Sequence, residues 1–487
     1  MSKDAVPTAQ VASHQATGTP ADAGDAGYSK DLKHRHVNMI AIGGAIGTGL
    51  FLGAGGRLHN AGPALALAYL VCGIFAFFVV RALGELVLYR PSSGSFVSYA
   101  REFLGEKGAY VAGWMYFLNW STTGIADITA IALYTHYWSM FTSVPQWVLA
   151  LIALAVVLAV NLISVKIFGE MEFWFAIVKV ATLVGFMLIG VFLLATQHDV
   201  GGRTPGLSSI TDHGGFFPHG VMPVVLVMQG VIFAYSALEM IGVAAGETAE
   251  PEKIIPRAVN SIMWRVGLFY VGSVILLALL LPGSVYSAGE SPFVTVLSRI
   301  GVPAAGDVMN LVVLTAAMSS LNSGLYTTGR ILRSMAAAGS APRFTGVMSR
   351  SRVPYGGILL TCAVCVLGVG LNYVMPAQAF EIVLNIASLG IVSTWVTIMI
   401  CHLVFVRRAK AGRLTRPHFR LPWSPFTEIA TIAFFIGCLG MMWNDPEVGR
   451  KTLLLIPLIA ALLVAGWFGV RHRVSRTADR ELSDITE

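Results

Sequence analysis

Four ionisable side chains lie inside long apolar stretches of the sequence: Glu85, Asp127, Lys179 and Glu239. A charge at membrane depth costs at least about 2.5–3.5 kcal/mol, so each group must find a partner, lose its charge or face a wet cavity. Asp127 shares its stretch with Asn119, Ser121, Thr122, Thr123 and Thr129. It suits a side-chain selector or proton acceptor beside a ligand, in preference to a protonated carboxyl bonded to neighbouring hydroxyls. Lys179 suits proton exchange, since an amine out of water can release its proton. The alternative is a permanent structural cation bonded to backbone carbonyls. Glu239 can reach an amino group through water, carry a proton or bond freed backbone, and the sequence does not rank these. Arg81 and Glu85, spaced i and i+4, predict a local ion pair near one helix end rather than a ligand contact.

Two glycine-rich interruptions give these charges a setting. GGAIGTGLF, residues 43–51, puts four glycines within seven positions of an apolar helix. Each costs about 1 kcal/mol in a helix interior, and small-residue packing accounts for one or two of them. Four predict an unwound stretch, which survives at membrane depth only where it lines a cavity. The half-helix beyond it aims bare N–H groups inward and suits a carboxylate. Gly43, Ala45, Ile46, Gly47, Thr48 and Gly49 are the candidate contacts. A second interruption, QGVIFAYSALEMIGVAAGE at 229–247, sets Ser236 and Glu239 mid-span among Gly230, Gly242 and Gly246. Matching interrupted spans in two halves mark a transporter site between inverted repeats. Freed carbonyls accept an ammonium while freed N–H groups receive a carboxylate, so the pair reads as a clamp for an amino acid zwitterion.

The elements that must hold this clamp are membrane helices. The chain is 55% hydrophobic and 12% charged, against about a quarter charged in soluble domains, and its mean hydropathy is +0.70. Apolar runs of about 20 residues recur throughout, the length that crosses a bilayer as a helix. Spans are predicted at 37–57, 63–89, 108–136, 146–163, 170–196, 222–246, 264–282, 307–337, 356–375, 380–406, 426–444 and 453–470. Twelve spans put both termini on one side. Of the 33 Lys and Arg, only Arg57, Arg203, Arg299, Arg450 and Lys451 fall in the opposite loops, and Arg81 and Lys179 lie within spans. The remaining 26 make the terminal side the cytoplasm. Residues 1–30 read as a disordered cytoplasmic tail without signal-peptide character, and 471–487 as a second cytoplasmic tail. Segment 198–220 reads as an outer loop with a short helix, and the basic loop 407–420 as facing anionic lipid. A net charge of +7 spread over short loops gives no basic face for nucleic acid. The five cysteines fall in apolar runs, which disfavours disulfides and metal sites, CxxC at 362–365 included.

On these residues the chain resembles the amino acid, polyamine and organocation superfamily, in particular its bacterial amino acid transporter family of proton-coupled permeases. The likeness covers about 32–468. It rests jointly on GGAIGTGLF at 43–51, RALGEL at 81–86, PSSGSFVSYA at 91–100, EMEFWFAIVKV at 170–180, GETAEPEKIIPRAV at 246–259 and SSLNSGLYTTGRILRSMA at 319–336. It implies an all-α integral membrane fold in which ten helices (31–406) form a five-plus-five inverted repeat with helices 1 and 6 broken. An inner loop and two extra helices follow (407–470). It also implies import by alternating access, the proton being the coupling ion and no other cofactor taking part. Lys179 then stands where sodium-coupled relatives bind their cation. Residues 113–138 are similar to the members of the family that carry asparagine, and those for glycine, D-alanine and D-serine share an Asp at position 127. Where relatives often have Gly this chain has Ala237, which bears on how far the sixth helix unwinds.

Phe233 and Tyr235 flank the second break and resemble the family's substrate-covering gate, although an aromatic there also fills core. Ser319, Ser320, Asn322 and Ser323 either line the pocket or make interhelical hydrogen bonds. Trp114, Trp120, Trp138 and Trp147 sit near span ends and read as interfacial anchors. Substrate contacts are thus expected from Asp127, Phe233, Tyr235, Ser236, Glu239 and Asn322 beside the first break, and proton coupling from Lys179, Glu239 and Asp127. A membrane enzyme is disfavoured because no nucleophile–base set is evident. A transporter-like nutrient sensor would keep the clamp but usually adds soluble domains. The partners expected are a small amino acid and lipid, with oligomeric state left open.

Overall fold

Apolar sequence that must satisfy its own backbone hydrogen bonds folds as helix, and the computed structural model contains helices and no strand among the described residues. It describes residues 39, 46–92, 94–245, 250–375, 379–446 and 448–486. The expected tail 1–30 and the candidate contacts Gly43 and Ala45 lie outside the described residues. The helices that matter below are Thr48–Phe51 (α1), Gly53–Ala61 (α2), Leu65–Tyr89 (α3), Ser95–Thr135 (α4), Gln146–Ile163 (α5), Val165–Thr196 (α6), Val221–Ala234 (α7), Met240–Ala245 (α8), Pro251–Arg265 (α9), Ser273–Leu280 (α10), Ala305–Ala337 (α11), Tyr355–Val374 (α12), Ala379–Lys410 (α13), Phe426–Met441 (α14) and Ile456–Thr486 (α15).

Among the described residues nine helical stretches are long and apolar enough to cross a membrane. Several bounds differ from the hydropathy reading for identifiable reasons. The span expected at 264–282 starts at Pro251, because α9 is amphipathic and buries Ile254, Ile255, Ala258, Val259 and Ile262 along one face. It runs through a π-helical stretch, Val266–Gly272, into α10. The span expected at 108–136 begins at Ser95 and bends at Gly105, where φ is +80°. The tail after 470 continues α15 as helix.

α4 occupies the centre, packed along α13 and α11. Small residues allow the approach: a Cβ on Gly390 of α13 would fall 2.8 Å from the Asn119 Cα of α4. The periphery inverts the soluble pattern, with Leu188, Phe192, Leu462 and Phe468 more than half exposed. Apolar side chains on that surface fit lipid rather than water.

The expected Arg81–Glu85 ion pair is not formed. Arg81 donates to Asn260 Oδ1 (2.7 Å) and to the Arg420 carbonyl (3.0 Å), its guanidinium over the Phe419 ring. Glu85 is fully buried and accepts instead from Arg416 Nε (2.6 Å) and the Leu421 N–H (2.7 Å). His402 Nε2 lies 2.9 Å from Glu85, and its Nδ1 lies 2.9 Å from Glu428. Part of the basic loop 407–420 is therefore turned inward against α3, α13 and α14 rather than outward to lipid. An i,i+4 spacing gives proximity, but a bidentate arginine with a backbone donor satisfies a buried carboxylate better.

Candidate functional site: the cavity between two helix breaks

The first expected break falls at Gly47, whose backbone is extended (φ −130°, ψ −163°), and a helix starts at Thr48, with residues 40–45 outside the described residues. The second separates α7, ending at Ala234, from α8, starting at Met240. Within it Ala237 takes φ +75°, a left-handed conformation that strains a side chain bearing Cβ. The interruption is held by side chains: Tyr270, from the π-helical stretch, donates to the Ala234 carbonyl (3.0 Å), and Tyr235 donates to the Tyr69 carbonyl (2.8 Å). The breaks touch at Gly49, where an added Cβ would sit 2.5 Å from Ala234 Cα. Only glycine permits that backbone approach.

Between them lies a cavity lined by Ile46, Gly47, Thr48, Gly49, Trp120, Lys179, Phe233, Ala234, Ser236, Ala237, Ser319, Ser320 and Ser323. Its free volume is about 10 Å³, room for about one water molecule. An amino acid enters only if the surrounding helices part. The lining mixes one ammonium and four serines with aromatic walls, a set that orients a small polar ligand.

The sequence-predicted residues divide into two shells. Ile46, Gly47, Thr48, Gly49, Lys179, Phe233 and Ser236 line the cavity. Asp127 stands behind Thr48, which donates to its Oδ1 (2.9 Å). Its Oδ2, near Ser320, meets no donor in hydrogen-bonding geometry among the described residues. Glu239 lies behind the second break: Trp395 Nε1 donates to its Oε2 (3.2 Å), and the N–H groups of Ala237 and Glu239 itself are close. Its Oε1 meets no donor in hydrogen-bonding geometry among the described residues. Tyr235 points away from the cavity into a cluster with Tyr270 and Tyr69, at ring separations of 4.6 and 6.1 Å.

Trp120 corrects the sequence reading. It is 2% exposed and forms a cavity wall instead of an interfacial anchor. Gly324 makes room for it, since a Cβ there would lie 2.7 Å from its ring. Arg57, expected in an outer loop, is buried against Gly53 and Gly230 and donates to the Gly49 carbonyl (2.8 Å).

A further carboxylate escaped the sequence reading. Glu172 is 1% exposed and accepts from Ser319 Oγ (2.8 Å) and Asn322 Nδ2 (2.7 Å). Ser319 in turn accepts from Lys179 Nζ (3.0 Å), and Asn161 Nδ2 donates to Asn322 Oδ1 (2.6 Å). Asn322 thus braces Glu172 and is absent from the cavity wall. With the span taken to start at 170, Glu172 lies at its edge and is not among the four charges placed inside apolar stretches. The helix in fact starts five residues earlier, capped by Ser164, which accepts from the Ile167 N–H. The available signal was the i,i+7 spacing to Lys179, which puts both groups on one face. The five cysteines are buried and unpaired. No cluster of three metal-ligating side chains occurs among the described residues.

The amino acid permease family matches residues 36–480. An L-asparagine permease of Streptomyces coelicolor is 85% identical over 99% of both chains. Those of Salmonella typhimurium and Escherichia coli are 60% and 59% identical over 93% of this chain and 91% of theirs. With a family match of that extent, and a helix break beside the start of α1 enclosing a small polar cavity in a multi-pass membrane fold, the chain belongs to the amino acid permease family and is a transporter, not an enzyme.

Proposed function

We propose that the chain is a proton-coupled symporter that imports L-asparagine across the cell membrane by alternating access. The juxtaposition of the breaks at Gly47 and Ala237 around a cavity holding Lys179 and four serines carries this reading. A zwitterion needs no net counter-charge there: backbone N–H groups and Lys179 suit its carboxylate, and break carbonyls its ammonium. Asparagine itself is supported by the printed names of the similar permeases. The reading takes twelve spans in a five-plus-five inverted repeat with two added helices, both termini in the cytoplasm. Lys179, Asp127 and Glu239 are the candidate proton carriers.

A counterflow assay tests the substrate. Labelled asparagine enters proteoliposomes preloaded with asparagine, while the twenty L-amino acids, glycine, D-alanine and D-serine compete. Asparagine should compete best; strongest competition from glycine, D-alanine or D-serine would reassign the substrate.

A further inference from the structure

We propose that Glu172 is the inward seat of the transported proton, reached from Lys179 through the hydroxyl of Ser319. The proposal rests on the symport reading above and names a carrier which that reading lacks.

The donors converge. Lys179 Nζ donates to Ser319 Oγ (3.0 Å), and Ser319 donates to Glu172 Oε2 (2.8 Å). From the other side, Asn161 donates to Asn322 (2.6 Å), which donates to Glu172 Oε1 (2.7 Å). Ser319 spends its only proton on Glu172, so a lone pair faces the ammonium. Its hydroxyl is therefore set for a concerted hop. An N–H bond of Lys179 breaks as an O–H bond forms on Ser319, while the original Ser319 O–H breaks and an O–H forms on Glu172 Oε2. Serine is regenerated, and a buried ammonium–carboxylate pair becomes a neutral amine and a neutral acid. Total charge is unchanged, so the hop creates no uncompensated buried charge.

The relay has a direction. Lys179 lines the cavity and Glu172 does not. Seven residues separate them on α6, about 10 Å along the axis toward its N-terminus, the end that the charge distribution assigns to the cytoplasm. Glu172 then releases the proton to cytoplasmic water, and Lys179 takes the next one from outside. Asp127 of α4 is a second carboxyl group near Lys179, which keeps the ammonium linked to the ligand side. Around Glu172, α11 contributes the neutral Ser319, Asn322 and Ser323, while its buried Arg330 lies over the Tyr326 ring, which stacks on Phe168 of α6.

The test uses the purified full chain in proteoliposomes, as wild type, E172Q, S319A and S319T. Two quantities are recorded for each: asparagine counterflow without a gradient, and accumulation driven by an inward proton gradient, with an internal pH dye counting protons per asparagine. In E172Q and S319A, gradient-driven accumulation relative to the same variant's counterflow should fall by about tenfold or more, with a flattened pH profile. S319T, which keeps the hydroxyl, should restore it. A wild-type ratio of protons to asparagine in E172Q overturns the proposal. So does equal loss of both readouts in E172Q and S319A, which makes the chain of hydrogen bonds a structural tie. Wild-type transport that moves no protons overturns the symport reading itself, and the relay with it.

Discussion

At the scale of single residues, the site depends on neutral hydrogen-bonding groups that hold charged ones in register. Thr48 ties Asp127 to the start of α1, so the carboxyl meets the cavity through a wall residue. Replacing Thr48 with Val removes a buried bond to a carboxyl group, worth about 1.5–3 kcal/mol. The Michaelis constant for asparagine should rise by at least about tenfold, measured by uptake in proteoliposomes; an unchanged value would separate Asp127 from substrate binding. Asp127→Glu lengthens the same group and should reorder the competitors in counterflow. An unchanged ranking would remove Asp127 as selector. Asp127 and Lys179 were legible because an ionisable side chain in an apolar run is conspicuous. Glu172 was not, because it lies where an apolar run fades into its polar flank, and hydropathy does not locate a helix start set by the Ser164 cap.

At the scale of elements, the glycine pattern predicted the second break, while its exact limits came from tertiary contacts. Nothing in QGVIFAYSALEMIGVAAGE announces that Tyr270 will cap Ala234 from a π-helical stretch, or that Ala rather than Gly will take the left-handed position. Holding a Cβ there costs about 1–2 kcal/mol. Ala237→Gly should therefore stabilise the closed arrangement by about 1 kcal/mol and raise the melting temperature in detergent by a few degrees. A fall would mean that the Ala237 methyl packs usefully against the cavity wall. Gly49→Ala meets backbone instead of a movable side chain. The two breaks should separate and transport be lost, although the protein still reaches the membrane; near-normal uptake by that variant would contradict the close approach.

At the scale of the molecule, the order of helices was legible from hydropathy, as the agreement at 146–163 and 356–375 illustrates. Long-range pairing was not, since Glu85 finds its partners at His402 and Arg416 across more than three hundred residues. That cluster joins α3, α13, α14 and the basic loop. Replacing His402 with Ala leaves Glu85 and Glu428 buried without their shared partner and should cost about 3–5 kcal/mol, visible as a large drop in melting temperature of the purified protein. Accumulation of substrate requires that transport be coupled to an ion gradient. One proton moving down 100 mV supplies about 2.3 kcal/mol, about fifty-fold accumulation. Uptake of labelled asparagine by the reconstituted protein, under an inward proton gradient with and without a protonophore, measures this directly. Accumulation should rise well above equilibrium and collapse when the protonophore is added; uptake indifferent to both gradient and protonophore would contradict the account.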